Sequence, residues 1–433
     1  MNIAEGGLQE INSMLLELQS LVGQSANDAG ISEEEKAANQ LQVDSILQTI
    51  DRIAAATSFQ GTKLLNGTFD FTVSAQISQV LDYQINAAKL SHNEQRDVQV
   101  LVYTSAQHGG VFLSIDGGIT TLDLSANDAT FVFTIGGAKG SREFTFGSTT
   151  SLANMATQIN TYKSITGISA IASGFGLVLK SELHGSDEFV SIEIDDTGGQ
   201  AGTVMYLTAA DENTASSLTA NQDTLIDIKK QNLIYRDEGQ DIGAIINGIK
   251  ATSDGLTAKV NNDFLDLEIM MNSTAAQNLT SYDAFTITGG GAKFNLGPNV
   301  DILNQVSIGI ENVASRFLGS YLNGYLDDLG SSRAANVEDG NLETGQKIVN
   351  EAIKQVSSLR GRLGAFQKNV VGSTIRSLGV ALENTSAAES VIRDTDFASE
   401  TAVLTRNQIL VNAATNVLSI ANTRPQAVLS LLG

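Results

Sequence analysis

Val349, Ala352, Val356, Leu359, Leu363, Phe366 and Val370 recur at alternating steps of three and four. That is the spacing of a coiled-coil seam held over three heptads, and it predicts a long helix from about Glu343 to Glu389. The stripe then drifts to Val371, Ile375, Leu378 and Leu382, so its buried side rotates around the helix axis. Such a stripe cannot be buried on its own helix and requires a partner. The opposite end of the chain supplies one, because Met1, Ala4, Leu8, Ile11, Leu15, Leu18 and Val22 repeat the same spacing. No capping residue precedes this first helix, so Met1 reads as an internal methionine of a longer helix.

A second helix opens at Ser32 with Glu35, the reciprocal pairing of a capping box, and carries Val43, Ile46, Ile50 and Ile53 on one face. Phe59-Gln60-Gly61 and Asn66-Gly67 are turn signals, and Phe69, Phe71 and Val73 alternate as a strand. From about 75 to 300 the period changes to two. Val98, Val100 and Val102 form one run, Phe131, Phe133 and Ile135 another, and Phe144 with Phe146 a third. Gly-rich turns at Asp116-Gly117-Gly118, Gly136-Gly137 and Gly198-Gly199 separate the runs, and Leu152, Met155 and Ile159 mark one short helix. A second β-rich block is expected from about Ile242 to Phe294, joined to the first by a polar segment near 207–235. After Pro298 the pattern is read as helical, with breaks at Gly330 and Gly340. Arg393-Asp394-Thr395-Asp396 interrupts the long helix, and a last helix from about Ser399 to Ala421 is expected to stop at Arg424-Pro425.

The predicted fold class is α+β: an antiparallel long-helix bundle built from both chain ends, with a β-rich insertion. The expected divisions are 1–74 and 301–390 for the two parts of the helical rod, 75–300 for the inserted outer domain or domains, and 391–433 for a terminal-helix segment.

Composition narrows the function by exclusion. A net charge of −22 disfavours nucleic acid and anionic membranes, since phosphate binding needs a basic surface. No apolar run reaches the roughly 18 residues of a membrane span. The absence of cysteine excludes thiol catalysis, disulfides and cysteine-ligated metals. His92, His108 and His184 are far apart in the sequence, and there is no HExxH, Walker A loop or GxSxG elbow. Asp195-Asp196 lacks EF-hand spacing. Neither catalysis nor a cofactor is expected.

The ends of the chain resemble bacterial flagellin. The C-terminal residues that carry the resemblance are Ser358-Leu359-Arg360, Leu363-Gly364-Ala365-Phe366-Gln367, Arg393-Asp394-Thr395-Asp396-Phe397-Ala398-Ser399-Glu400, Gln408-Ile409-Leu410 and Val428-Leu429-Ser430-Leu431-Leu432. At the N-terminus they are Ala4-Glu5-Gly6-Gly7-Leu8-Gln9-Glu10-Ile11-Asn12, Gln24-Ser25-Ala26-Asn27, Ile50-Asp51-Arg52 and Phe59-Gln60-Gly61-Thr62-Lys63-Leu64-Leu65. Phe131 to Ile194 is similar to a repeat found in flagellin and hook-associated inserts.

The resemblance implies a secreted, extracellular subunit that self-assembles into the flagellar filament for swimming motility. It implies other flagellin subunits, hook-associated proteins, cap proteins and an export chaperone at the C-terminal helix as partners, and O-linked glycans on exposed Ser or Thr. Leu8, Ile11, Leu15, Leu18, Val356, Leu359, Leu363, Phe366 and Val370 would then hold the bundle, and Leu410 and Val417 the assembly layer. The family begins some tens of residues earlier, so residues 397 to 433 are expected to lack an intramolecular partner, leaving the chain monomeric. Glu17 aligns with an arginine that the host flagellin-sensing Toll-like receptor grips in several flagellins. A hook–filament junction protein is one alternative, disfavoured by the Val428-to-Leu432 ending. An adhesin or glycan-binding module within the insert is another, resting on Tyr103, Phe112 and Tyr206.

Overall fold

A computed structural model describes residues 1–433 except 28–29, 92–93, 116–119, 125–128, 208–222, 225–232, 298 and 303. It divides into two compact units, Met1–Leu363 and Gly364–Gly433. The expected turn at 116–118, most of the polar segment near 207–235, His92 and Pro298 lie outside the described residues.

The first unit opens with helix α1 (Asn2–Ser25), which has no side-chain cap and buries Ala4, Leu8, Ile11, Leu15, Leu18 and Val22. Gly7 lies where a Cβ would come within 2.8 Å of Thr57 Oγ1 and 2.9 Å of Leu65 Cδ1, so glycine lets the 57–65 segment close on the helix. Helix α2 (Glu33–Ala56) starts with the predicted capping box: the Ser32 hydroxyl accepts from Glu35 N, and Glu35 Oε2 accepts from Ser32 N at 2.9 Å. Gln60 and Gly61 then turn the chain with positive φ values of 50° and 83°.

Two β lobes follow, and they are nested rather than consecutive. The outer lobe pairs strands from both sides of the insertion. Its first sheet runs 249–250, 243–246, 96–104, 281–290, 71–74, and its second runs 252–254, 257–261, 265–271, 80–88. The inner lobe is the excursion between Thr104 and Gly243. Its sheets run 223–224, 202–206, 110–115, 176–181, 168–173 and 234–238, 189–196, 130–137, 140–147. The expected split into a first and a second β block is therefore corrected. Val98, Val100 and Val102 share a core with Ala244, Ile246, Leu267 and Phe285. Local alternation specified each strand's buried face, but pairing across more than a hundred residues left no local signal.

The inner core is Phe131, Phe133, Ile135, Phe144 and Phe146 from a hairpin, closed by Leu152, Met155 and Ile159 of helix α3 (Leu152–Thr161). Phe133 and Phe146 stack at 5.7 Å between centroids.

The helical expectation between 301 and 341 also fails. Gln305–Ile308 pairs with Ala292–Asn295, a hairpin joins Gly319–Ser320 to Gly324–Tyr325, and a 3-10 turn spans Leu326–Leu329. The Gly319 φ of +135° and Gly324 φ of +99° are conformations a helix cannot contain. Polar groups of α2 fix this segment instead. Gln40 is buried, donates to Leu329 O at 2.9 Å and accepts from Val337 N at 2.8 Å. Asp44 accepts from Ser331 N, and Asp51 accepts from Ser315 N.

Helix α4 (Leu342–Ala365) buries Ile348, Val349, Ala352, Val356, Leu359 and Leu363. The predicted long helix continues past Ala365 through a π turn at Phe366–Val371, where the wider turn shifts the phase of the stripe. In the second unit, helix α5 (Gly372–Arg393) and helix α6 (Phe397–Leu431) contain no buried residue. Asp396 caps α6 by accepting from Ala398 N and Ser399 N. Pro425 does not stop α6, which continues to Leu431. The proline leaves one carbonyl without its helical donor.

Candidate functional site

The apolar seam at the chain ends is the feature on which a helical function would rest. On α1 the spacing places Leu8, Ile11, Leu15 and Leu18 on one face, and each is fully buried. On α4, Val356, Leu359 and Leu363 are 0–2 % exposed. Arg360 donates to Glu5 at 2.8 Å, and Gln19 donates to Asn350 at 2.7 Å. Rising numbers on α1 meet falling numbers on α4, so the two helices run antiparallel. Each fully buried aliphatic side chain contributes about 1.5–3 kcal/mol. The half-exposed Glu5–Arg360 pair adds at most about 1 kcal/mol and sets register more than stability.

In the second unit Phe366 is buried, Val370 is half-buried, and exposure is complete from Ile375 onward. The last helix carries Val403, Leu404, Ile409, Leu410, Val411, Val417, Leu418 and Ile420 at 39–65 % exposure. Leu410 and Val417, expected in an assembly layer, are 58 % and 65 % exposed. Glu17 is exposed on α1, beside the buried Leu18.

One polar cluster was not foreseen. Arg362, near the end of α4, donates to Glu311 at 2.8 Å and to Asn86, while Gln84 also donates to Glu311 at 2.6 Å. Asn86 in turn donates to Asp266 at 3.1 Å. The cluster ties α4 to the outer lobe. Arg362 follows two apolar seam positions at a spacing that looks like an ordinary solvated face, so the sequence held no cue. Gln40 did have one: it sits three residues before Val43, on the apolar stripe of α2.

The histidine reading needs correcting. His108 and His184 are far apart in sequence, but their rings stack at 3.6 Å between centroids. Among the described residues no group of three or more His, Cys, Asp or Glu is placed to hold a metal ion, and no helix is long and apolar enough to cross a membrane. Tyr206 packs against the inner core, and Phe112 is buried with Val178 and Met205, while Tyr103 lies under Lys250.

Comparison with known proteins bears directly on this architecture. The family model of the bacterial flagellin N-terminal helical region matches residues 1–70, and that of the C-terminal helical region matches residues 346–432. The flagellin of Bacillus subtilis is 30 % identical over 296 residues, covering 64 % of this chain and 93 % of its own. The flagellin of Salmonella typhimurium is 29 % identical over 450 residues, covering 99 % of this chain and 84 % of its own. Among solved structures, the D1–D2–D3 domains of the flagellar cap protein FliD from Escherichia coli align over 87 % of this chain and 76 % of that one, at 12 % identity and a TM-score of 0.29. With the matched regions falling on α1, α2 and the helices from α4 to the C-terminus, the chain belongs to the bacterial flagellin family and is a structural subunit of the extracellular flagellar filament.

Proposed function

We propose that the exposed apolar face of α6, with Leu410 and Val417 at its centre, is the surface through which subunits of this chain pack on one another. The observation that carries the reading is the exposure of every residue of α6 on a helix with no basic or acidic face to keep it soluble alone. A helix of this kind gains most of its stability from packing, because nucleation is costly and isolated helices are marginal in water. In this reading the seam of α1 and α4 is the rigid rod, and the two β lobes are carried on the outside of the filament. Hook-associated and cap proteins meet the ends of the polymer, and an export chaperone covers α6 before assembly. Exposed Ser and Thr of the lobes are acceptors for O-linked glycans. The subunit is structural and carries out no catalysis.

The test is made in a flagellin-deleted bacterium whose swimming this protein restores. Leu410→Asp places a charge in the packing layer, where an unpaired buried carboxylate costs several kcal/mol. Filaments seen by electron microscopy should fall at least roughly tenfold in length or number, while secreted monomer remains detectable. Filaments of normal length from the variant would refute the assignment.

A further inference from the structure

Two short connections, 105–109 and 239–242, join the inner lobe to the outer. They pair with each other, since Gln107 N donates to Gln240 O at 2.8 Å and Gln240 N donates to Gln107 O at 2.9 Å. The inner lobe's 182–188 loop lies against both. Gly185 N donates to Gln107 O at 3.2 Å, and Gly239 N donates to Glu188 O at 2.8 Å. A Cβ on Gly239 would meet Gly185 O at 2.4 Å and Gln107 O at 2.7 Å, so three backbone segments meet at that point. Asp241 reaches across the joint, accepting from Ser186 N at 3.0 Å, Ser186 Oγ at 2.6 Å and, on the outer lobe, Gly255 N at 2.8 Å.

The two described histidines stand at this joint, one on the first connection and one on the loop. His108 Nδ1 lies 3.0 Å from Leu183 O. A carbonyl can only accept, so Nδ1 carries the proton. His184 Nε2 is buried and meets no hydrogen-bonding group among the described residues. A second proton on His184 would have no acceptor there and would put a cation against a ring 3.6 Å away.

We propose that the stacked His108–His184 pair is an acid-released latch on the joint between the two lobes. Neutral rings hold the 182–188 loop against both connections, and protonation in mild acid frees it.

Burial, then the neighbouring His108 and Lys180, push His184 below its ordinary 6.5 to about 4. The stabilisation is therefore complete above 6.5 and is lost as the pH falls from there toward about 4. Charged groups surround the pair from every segment of the joint. Lys180, at the end of its strand, opposes protonation. Glu182 on the loop is engaged with Lys139 and Lys163. Burial raises Glu188 on the loop and Asp237 on the incoming strand. Asp187, Glu238 and Asp254 flank these positions in the sequence. Burial also works to raise Asp241, but its hydrogen bonds from Ser186 and Gly255 outweigh that and leave it lowered. Protonating the raised carboxylates could loosen the joint by another route, so the experiment separates the two.

The experiment is hydrogen exchange of the full chain between pH 7.5 and pH 5, expressed as protection after correction for intrinsic rate, alongside an NMR titration of the histidine ring protons. The amides of Gln107, Gly185, Gly239 and Gln240 should lose protection roughly thirtyfold by pH 5, while strand amides of Val100 and Leu179 keep theirs. His184→Phe keeps a ring in place and cannot be protonated, so its joint should hold at pH 5. Unchanged protection in the parent would overturn the proposal, as would an equal loss in the variant, which would assign the effect to carboxylates. Should the variant's joint already be open at pH 7.5, the parent's titration decides: a His184 value near or above 6.5 overturns the latch, and a value well below it sustains it.

Discussion

Asp70 lies one residue before the outer-lobe strand 71–74, with its carboxylate accepting from Phe71 N at 2.7 Å. Burial raises its pKa to about 6 against the Phe71 hydrogen bond, with the Glu311 carboxylate adding to the rise and Arg362 opposing it. A raised carboxyl binds its proton more tightly in the folded chain. Its contribution is therefore fully present below the ordinary 3.8 and is lost as the pH rises through about 6. Asp70→Asn should stabilise the protein at pH 7.5 by about 1–2 kcal/mol after allowance for screening by solvent, and the gap should close toward pH 4. Urea denaturation at the two pH values measures it, and a pH-independent gap would contradict the cause. Glu17 offers a different kind of test, because it is exposed on α1. We propose that it sets weak recognition by the host flagellin sensor, as an anion where several flagellins carry a cation. Glu17→Arg should strengthen a receptor reporter response by roughly tenfold. A response from the unaltered protein equal to that of the variant would rule this out.

Among the elements, the segment 311–341 is irregular backbone held by the side chains of a neighbouring helix. Gln40 satisfies one carbonyl and one amide of that segment, Leu329 O and Val337 N, in a buried position. Gln40→Leu should keep the shape but leave both groups unpaired, costing about 2–4 kcal/mol. Thermal unfolding followed by circular dichroism should show the loss, and a variant within about 0.5 kcal/mol of the parent would show that water replaces the contacts. The same segment marks where the sequence stops being readable. The seams of α1 and α4, the Ser32 capping box and the alternation of Val98, Val100 and Val102 were visible because each is a local periodic requirement. The 301–341 stretch carries apolar residues without a period, and Gly319 and Gly324 with positive φ take it out of any helix. Pro425 misled in the opposite sense, since α6 runs on past it to Leu431.

For the whole molecule, the separation into helical chain ends and a β-rich insertion followed from the change of period between residues 75 and 300. Leu410 and Val417 stand in an apolar run of the last helix, but their place in an assembly layer came from the resemblance to flagellin rather than from the spacing. What stayed hidden were the contacts that close over long distances: the Arg362 cluster, the His108–His184 stack and the order of strands in the outer lobe. Each depends on residues brought together by topology, which leaves no mark on local composition. That topology has a consequence of its own. Thr104 pairs directly with Gly243, so the chain leaves the outer sheet and re-enters it at adjacent points. The inner lobe is in effect a parenthesis in the polypeptide. Away from the 182–188 loop that touches the joint, its length and content can drift without changing the register of the sheet around it, because the two connections enter and leave that sheet side by side. A lineage under pressure to alter what its filaments present could rewrite most of what lies inside the brackets, sparing the loop at the joint, and leave the outer sheet's own grammar untouched.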